Sequence, residues 1–360
     1  MRIKRWLFLG HRWLGVAMCA FFAMWFVSGV VMMYVGYPKL TPAERLAHLP
    51  ALDAGAAYLA PRAALDAAGI GGPLRDLRLA ASRAGRPVYL AVPAAGSGMP
   101  GPAGGRRAAA PGAGTVVIDA LSGAVLRGIG ADEALAAAAA WAAADAPGGA
   151  LPPMRYEGTV DEDAFTHSRN LDAHRPLHVV QLDDAPHTRL YLSGTTGEVV
   201  RDATRAERGW NYAGAWIHWL YPFRGHALDR WWADIVIVLS LVGIAVALTG
   251  TVVGLLRWRF GRRYRSGARS PYAGGAMRWH HLSGLLFAGV TLTWIFSGLM
   301  SMNPWKLFDS GAPPLRTEAL AGGPLRPGAE AAAPQRLLAA AGRPVRELRW
   351  VRVAGEDRVL

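Results

Sequence analysis

The chain has 360 residues, of which 52% are hydrophobic and only 18% are charged, and its net charge is +13. Soluble proteins carry about 25% charged residues, so this composition, which includes 14 tryptophans, indicates a membrane protein. The single cysteine, Cys19, excludes an internal disulfide, a four-cysteine iron–sulfur site, a Cys-rich zinc site and covalent haem attachment through C-x-x-C-H.

The positive charge is concentrated in two short segments. Residues 1–12 carry four basic side chains, residues 257–278 carry seven arginines, and neither segment has an acidic side chain. The long stretch 36–207 holds 16 basic and 18 acidic residues and is close to neutral. Basic flanks beside apolar stretches are typical of the cytoplasmic loops of a membrane protein, and they argue against nucleic-acid binding.

Three apolar stretches are long enough to cross a bilayer core of about 30 Å, which needs about 20 helical residues. They predict transmembrane helices over 13–38, 229–256 and 279–305. The first stretch is too long for the core of a signal peptide and is followed by no A-x-A site, so we expect an uncleaved anchor.

The basic flanks also predict the orientation. They place 1–12 and 257–278 in the cytoplasm, and therefore 39–207 and 306–360 on the outer side. The aromatic-rich segment 208–228 is broken by Pro222 and predicts an outer-face interfacial helix, with a partly inserted segment as the alternative.

The outer segment 39–207 has the pattern of an α+β domain. Helices are predicted at 58–68 and, from its alanines, at 131–146, with a weaker helical segment around 161–171. The similar segments 118–125 and 192–199 each predict a strand, a tight glycine turn and a second strand. The Gly/Pro/Ala-rich residues 95–114 predict a flexible loop.

Parts of the chain recur. The segment from His11 to Gly15 resembles that from His280 to Gly284, and Trp25-Phe-Val-Ser-Gly29 matches Trp294-Ile-Phe-Ser-Gly298, both at an offset of 269. Residues 73–78 match 344–349 at an offset of 271. We therefore predict an internal repeat of a span plus an outer domain. The second copy reaches Leu360 within a predicted strand, so we expect a strand without its hairpin partner, which would leave an unpaired edge, and a natural chain that continues further.

Two histidines correspond in this repeat. His11 and His280 both lie at the cytoplasmic ends of predicted spans, and titratable groups inside a membrane are functional candidates. Haem iron takes axial ligands from two sides, so two facing helices with one histidine each predict a bis-histidine b-type haem site. The alternative is a pair of interfacial histidines bonded to lipid headgroups or loop carbonyls. His281 lies about 100° around the helix from His280, so only one of them can face the same partner.

The remaining candidates lie toward the outer side. His218, between Trp216 and Trp219, is a candidate ligand for a second haem, with His226 or a repeat equivalent beyond Leu360 as its partner. The alternative is an aromatic-belt histidine bonded to a backbone carbonyl. Four outer-domain histidines match no zinc spacing and are interpreted as surface or strand residues: His167, His174, His178 and His187. Four methionines at the outer ends of spans are interpreted as packing or lipid-facing residues: Met32, Met33, Met300 and Met302.

Together these features resemble the PepSY-associated transmembrane-helix family of bacterial inner-membrane proteins. The resemblance rests on His11 to Gly15, the Trp25 to Gly29 segment, the two hairpins, Trp216 to Leu220, and His280 with His281. It implies an α-helical membrane protein with an α+β periplasmic PepSY-like domain.

The resemblance also implies a function, since some members look like ferric-siderophore reductases with one or two b-type haems. Electrons would then come from a cytoplasmic flavoprotein or a quinol and reach a ferric siderophore or another periplasmic ferric complex. The alternatives are a non-enzymatic PepSY binding or regulatory module that the spans anchor, and a component of a metal or siderophore permease.

Overall fold

A computed structural model of the chain describes residues 2–94, 114–146, 148–224, 227–309, 321–328 and 331–360. The predicted loop 95–114 lies almost wholly outside the described residues, and so does His226. The contacts divide the chain into a helical unit, Met1–Gly36 with Tyr212–Pro313, and a sheet unit, Tyr37–Asn211 with Pro314–Leu360.

Two helices of the helical unit are long and apolar enough to cross a membrane. Helix α1 spans Arg2–Tyr34 and contains a window of mean hydropathy 2.1. Helix α6 spans Trp232–Arg257, and with the turn before it the span Asp229–Arg257 reaches a mean hydropathy of 2.6. Both helices overlap the stretches that hydropathy predicts to be transmembrane: α1 starts before 13–38, within the basic N-terminal segment, and α6 nearly coincides with 229–256.

The third predicted span, 279–305, is not one straight helix. It consists of α7, Gly275–Leu286, and α8, Ala288–Ser301, which are bent by 67° at Phe287. Adjacent glycine and serine residues are a common cause of sharp kinks, and Ser283-Gly284 lies one turn before the break. The helical unit has up to three spans in the described residues if the bent pair counts as one.

The predicted interfacial helix over 208–228 is also discontinuous. Helix α5, Arg205–Asn211, ends the first part of the sheet unit, and a π-helical turn over Tyr212–Trp216 begins the second part of the helical unit. A short 3-10 turn follows at Tyr221–Phe223, where Leu220 adopts a left-handed φ of 54° and Pro222 lacks an amide hydrogen. Local backbone geometry therefore breaks this segment into short turns.

The strands described in the sheet unit form two antiparallel sheets. One has the order β10-β9-β1-β2-β3-β4 and the other the order β5-β6-β7-β8. The strands of the first are β1 Leu74–Arg83, β2 Arg86–Pro93, β3 Val116–Asp119, β4 Val125–Leu126, β9 Glu347–Val353 and β10 Glu356–Val359. Those of the second are β5 Met154–Val160, β6 Leu177–Leu182, β7 Arg189–Ser193 and β8 Val199–Ala203. Four helices accompany them: α2 Pro42–His48, α3 Pro61–Ala67, α4 Ala131–Asp145 and α9 Pro334–Ala341.

Each sheet buries one apolar face under helices. In the first, Leu65 of α3 and Leu338 of α9 pack in one cluster with Tyr89 and Trp350 of the strands. In the second, Trp141 and small alanines of α4 pack against strand residues such as Val180 and Leu190. The alanines let α4 lie close to its sheet, which explains why so alanine-rich a helix belongs to a core.

The C-terminal segment joins the first sheet instead of leaving an unpaired strand. Strand β9 pairs antiparallel with β1 on one side and with β10 on the other. The β9–β10 turn, Ala354-Gly355, has positive φ at both residues, as has the β1–β2 turn at Ala84-Gly85. Positive φ at both central residues matches the natural twist of a tight hairpin. The expectation of a strand without its hairpin partner is therefore wrong, because seventeen residues from Pro344 to Leu360 suffice to close a short hairpin.

Candidate functional site

His11 on α1 and His280 on α7 lie side by side in the helical unit. Their ring centres are 6.2 Å apart and the ring planes are inclined by 34°. The buried Nδ1 atom of His11 has no hydrogen-bond partner within the described part of the chain. Helix α6 approaches the same ring, because a Cβ atom on Gly250 would lie only 2.7 Å from His11 Cε1. Three helices thus meet at His11, and the predicted pair is brought together.

His281 is placed differently from its neighbour. It is only 6% exposed, and Nε2 lies 2.9 Å from the carbonyl oxygen of Gly254 while Nδ1 lies 2.8 Å from Ser270 Oγ. A carbonyl can only accept, so Nε2–H donates to Gly254 and Nδ1 accepts from the Ser270 hydroxyl. Both ring nitrogens are therefore engaged, and this leaves His280 as the neighbour with a ring nitrogen available to a ligand.

The two contacts of His281 also order the basic loop. Ser270 belongs to the arginine-rich segment between α6 and α7, and Trp258 and Tyr272 pack edge-on against the imidazole, with ring centres 6.0 and 5.4 Å away. His281 is therefore an anchor of this loop on the end of α6.

His218 lies at a second position in the helical unit. Its Nδ1 atom is 3.0 Å from Ser28 Oγ on α1, and its backbone carbonyl accepts from Trp25 Nε1 at 3.0 Å. Ser28 Oγ is also 2.6 Å from the carbonyl oxygen of Met24, to which it must donate. Nδ1–H of His218 therefore donates to Ser28, and Nε2 keeps its lone pair.

His218 lines a cleft of about 720 Å³. Aromatic side chains dominate the lining, and with Met302 they include Phe22, Trp25, Phe26, Trp219 and Trp294. The cleft is thus an apolar chamber into which one imidazole brings a metal-ligating nitrogen. The sequence indicated His218 and Met302 separately, but not that one chamber holds both.

The two positions are at different heights along α1. His11 and Ser28 are 17 residues apart, which at 1.5 Å per helical residue is about 25 Å. This separation is most of the thickness of a bilayer core. A group held by His11 and His280 and another held by His218 would therefore occupy opposite halves of the membrane.

The other predicted histidines do not form a metal site with one another among the described residues. His167 is paired with Glu162, His178 bonds Tyr156 and His187 lies 3.6 Å from Asp183. His174 ends a 3-10 helix and bonds Ser193, so it shares no helix with His178, which lies in β6. In the ranges that the structure describes, no group of three His, Cys, Asp or Glu side chains could hold a metal ion.

A cluster of ion pairs in the sheet unit was not predicted from the sequence. Arg78 forms a two-pronged pair with Glu198 at 3.3 Å and also contacts Glu347 at 3.3 Å, and Arg45 contacts Glu347 at 2.8 Å. Burial tends to raise the pKa of Glu198, but the nearby Arg78 and Arg45 outweigh it and hold the pKa below its usual value. The four residues are far apart in the sequence, so the sequence pattern does not predict that they form ion pairs with one another.

These features define a membrane protein in which a helical unit carrying two histidine positions is joined to an α+β unit. The chain belongs to the family described as the PepSY-associated TM region, whose model matches residues 8–353, nearly the whole chain. The chain matches no curated protein and no solved structure.

Proposed function

We propose that this chain transfers electrons across the bacterial inner membrane through b-type haem and reduces a periplasmic ferric complex such as a ferric siderophore. The observation that carries the proposal is the pair His11 and His280, whose rings lie 6.2 Å apart on two membrane helices. Electrons would come from a cytoplasmic flavoprotein or a quinol.

The chemistry of the donor set fits haem at this position. A metal bonded to one nitrogen of each imidazole, at about 2 Å per bond, requires ring centres about 6 Å apart. The buried Nδ1 of His11 has no partner among the described residues and is available to a ligand, while the backbone of Val246 is within hydrogen-bond reach of the ring. His280 supplies the opposite ligand, since His281 has no free lone pair.

His218 supports a second haem in the outer half of the membrane. The hydrogen bond from Nδ1–H to Ser28 fixes the tautomer in which Nε2 can bind iron. Its second ligand would come from Met302 in the same cleft or from His226.

Haem, when bound, would supply iron that alternates between the ferric and ferrous states and so carries one electron at a time. His11 and His280 would hold this iron through their imidazole nitrogens. Phe22, Trp25 and Trp294 surround the His218 position with apolar surface, which lowers the local dielectric. A haem at the His218 position would shorten the distance that an electron must cross to reach a periplasmic acceptor.

The membrane orientation is part of the proposal. The basic segments 1–12 and 257–278 would face the cytoplasm, and the sheet unit would be a periplasmic PepSY-like domain. The recurring segments and the hairpin of β9 and β10 beside that of β1 and β2 support an internal repeat.

The test is the reduced-minus-oxidised absorbance spectrum of the purified full chain, with its haem-to-protein ratio. We expect a b-type α band, and we expect His11→Ala and His280→Ala each to remove the same haem. His48→Ala, in the sheet unit, is the matched control and should leave the spectrum unchanged. Colourless protein from haem-replete cells would overturn the proposal and favour the anchored, non-enzymatic PepSY module.

A further inference from the structure

A cavity of about 610 Å³ lies wholly within the sheet unit. Helix α2 forms one wall, the 3-10 helix Arg169–His174 another, and the start of β8 a third. The polar side chains of its lining are Thr41, Arg45, Arg78, Asn170, His174 and Glu198. Nothing in the proposed electron transfer uses it.

The acidic side chain of this cavity is already neutralised. Glu198 is 5% exposed and is held by both terminal nitrogens of Arg78. Arg78 also contacts Glu347. Its Nε atom lies 3.6 Å from a carboxylate oxygen of Asp76. The hydrogen-bonding capacity of Arg78 and Glu198 is therefore largely taken up inside the protein.

Arg45 is less completely paired. Its Nη2 atom bonds Glu347 at 2.8 Å, but its Nη1 atom is 3.8 Å from Glu198 and is buried without a hydrogen-bond partner in the part of the chain that the structure describes. The nearest carboxylate oxygen is beyond hydrogen-bond distance of this donor, so Nη1 is available to an acceptor from a ligand. A carboxylate is the acceptor that best matches a guanidinium group.

His174 provides a second free group on the same cavity. Its Nδ1 atom is 3.0 Å from Ser193 Oγ, and among the described residues Nε2 has no partner. Burial lowers the pKa of His174, the neighbouring Glu198 raises it and Arg78 lowers it further, with a net lowering. An anion bound next to this ring would favour its protonated form, so the ligand and a proton would bind together.

We propose that this cavity binds a small carboxylate ligand, an organic acid of about the size of citrate, through Arg45 and His174. The ligand's carboxylate supplies the acceptor that Arg45 Nη1 lacks, and His174 donates a second hydrogen bond when it is protonated. Asn170 is part of the lining and is exposed, so we expect the ligand to enter beside it. This site needs no haem and is independent of the proposed electron transfer.

The experiment is a calorimetric titration of the purified full chain in detergent with citrate. We expect wild-type protein to bind, and Arg45→Gln to weaken binding by at least tenfold. Asn170→Trp should weaken it similarly by filling the mouth of the cavity while leaving the ion pairs in place. Arg62→Gln is the matched control, because Arg62 is an exposed arginine of the same unit that is paired with Asp66, and this variant should bind as wild type does.

Two further measurements separate binding from folding and from ordinary charge effects. The thermal unfolding of each variant shows whether the sheet unit remains folded. If Arg45→Gln does not fold, Asn170→Trp remains as the test of binding. Between pH 8 and pH 6 the affinity of wild type should rise more than that of His174→Gln. No binding by wild type, or equal affinity in all folded variants, would overturn the proposal.

Discussion

Arg78 and Arg349 lie directly opposite each other on the neighbouring antiparallel strands β1 and β9. They are also the two residues that the predicted repeat sets in correspondence, 271 positions apart. Like charges in facing positions are destabilising, and each arginine is offset by a carboxylate: Arg78 by Glu347 at 3.3 Å and Arg349 by Asp76 at 2.8 Å. Asp76 and Glu347 correspond at the same offset, so the two ion pairs are related by an approximate twofold axis between the strands.

Removing one of these carboxylates should destabilise the sheet unit. We expect Glu347→Gln to cost about 1.5–3 kcal/mol, because it leaves Arg45 and Arg78 short of a charged acceptor at a buried position. The measurement is the thermal unfolding of the purified chain. Glu356→Gln is the control, since its pair with Arg358 is exposed and should contribute less than about 1 kcal/mol. Equal losses in both variants would contradict the twofold ion-pair arrangement as a source of stability.

Gly250→Ala should displace His11. The new methyl group would lie 2.7 Å from His11 Cε1, a distance that forces the ring or the helix to move. Helix propensity favours alanine over glycine by about 1 kcal/mol, so the variant should fold and yet lose the haem signal of the His11 and His280 position. Gly243→Ala is the control, because its methyl group would meet Phe22 at an ordinary 3.4 Å. A full haem signal in Gly250→Ala would show that His11 does not need its observed position.

Ser28→Ala should weaken haem binding at the His218 position and leave the His11 and His280 position unchanged. It removes the acceptor that fixes the His218 tautomer, and loss of such a partner weakens metal binding by about 10–100-fold. The measurement is haem occupancy resolved by redox titration. Ser297→Ala is the control, because its hydroxyl bonds the carbonyl of Trp294 in its own helix. The idea fails if both variants retain two titrating haems with unchanged potentials.

The stability of the sheet unit should depend on pH through Asp202. Burial, followed by repulsion from Glu207 and Glu44, raises the pKa of Asp202 from 3.8 to about 6. The folded state therefore binds this proton more tightly than the unfolded state, and the stabilisation present below pH 3.8 is lost as pH rises through 6. Asp202→Asn should raise the melting temperature relative to wild type at pH 8 and leave it nearly unchanged at pH 3.5. Asp183→Asn, at an exposed position, should change it at neither pH.

The orientation can be tested with cysteines introduced into a Cys19→Ala background. Ala51 in the sheet unit and Ser266 in the basic loop are both exposed. A membrane-impermeant maleimide added to intact spheroplasts should label Ala51→Cys and not Ser266→Cys, and disruption of the membrane should allow both to react. The reverse pattern would place the sheet unit in the cytoplasm.

The sequence by itself determined the features that depend on local composition and periodicity. Uncharged runs longer than 20 residues located α1 and α6, the alanine-rich run located α4, and glycine turns located the hairpins around Gly123 and Gly197. Each follows from short-range physics, namely the cost of burying charge in lipid and the conformational freedom of glycine. His11, His280 and His218 could be selected for the same reason, since a titratable side chain in an apolar span stands out.

Only the tertiary structure decided which of these residues meet. His280 and His281 are adjacent in sequence, yet one lies beside His11 and the other is bound by Gly254 and Ser270. The sequence also does not predict the contact of His218 with Ser28, 190 residues away, or the pairing of β9 with β1. Hydrogen bonds and ion pairs act over a few ångströms in space, so their partners are fixed by how the helices and strands pack, and hydropathy carries no information about that.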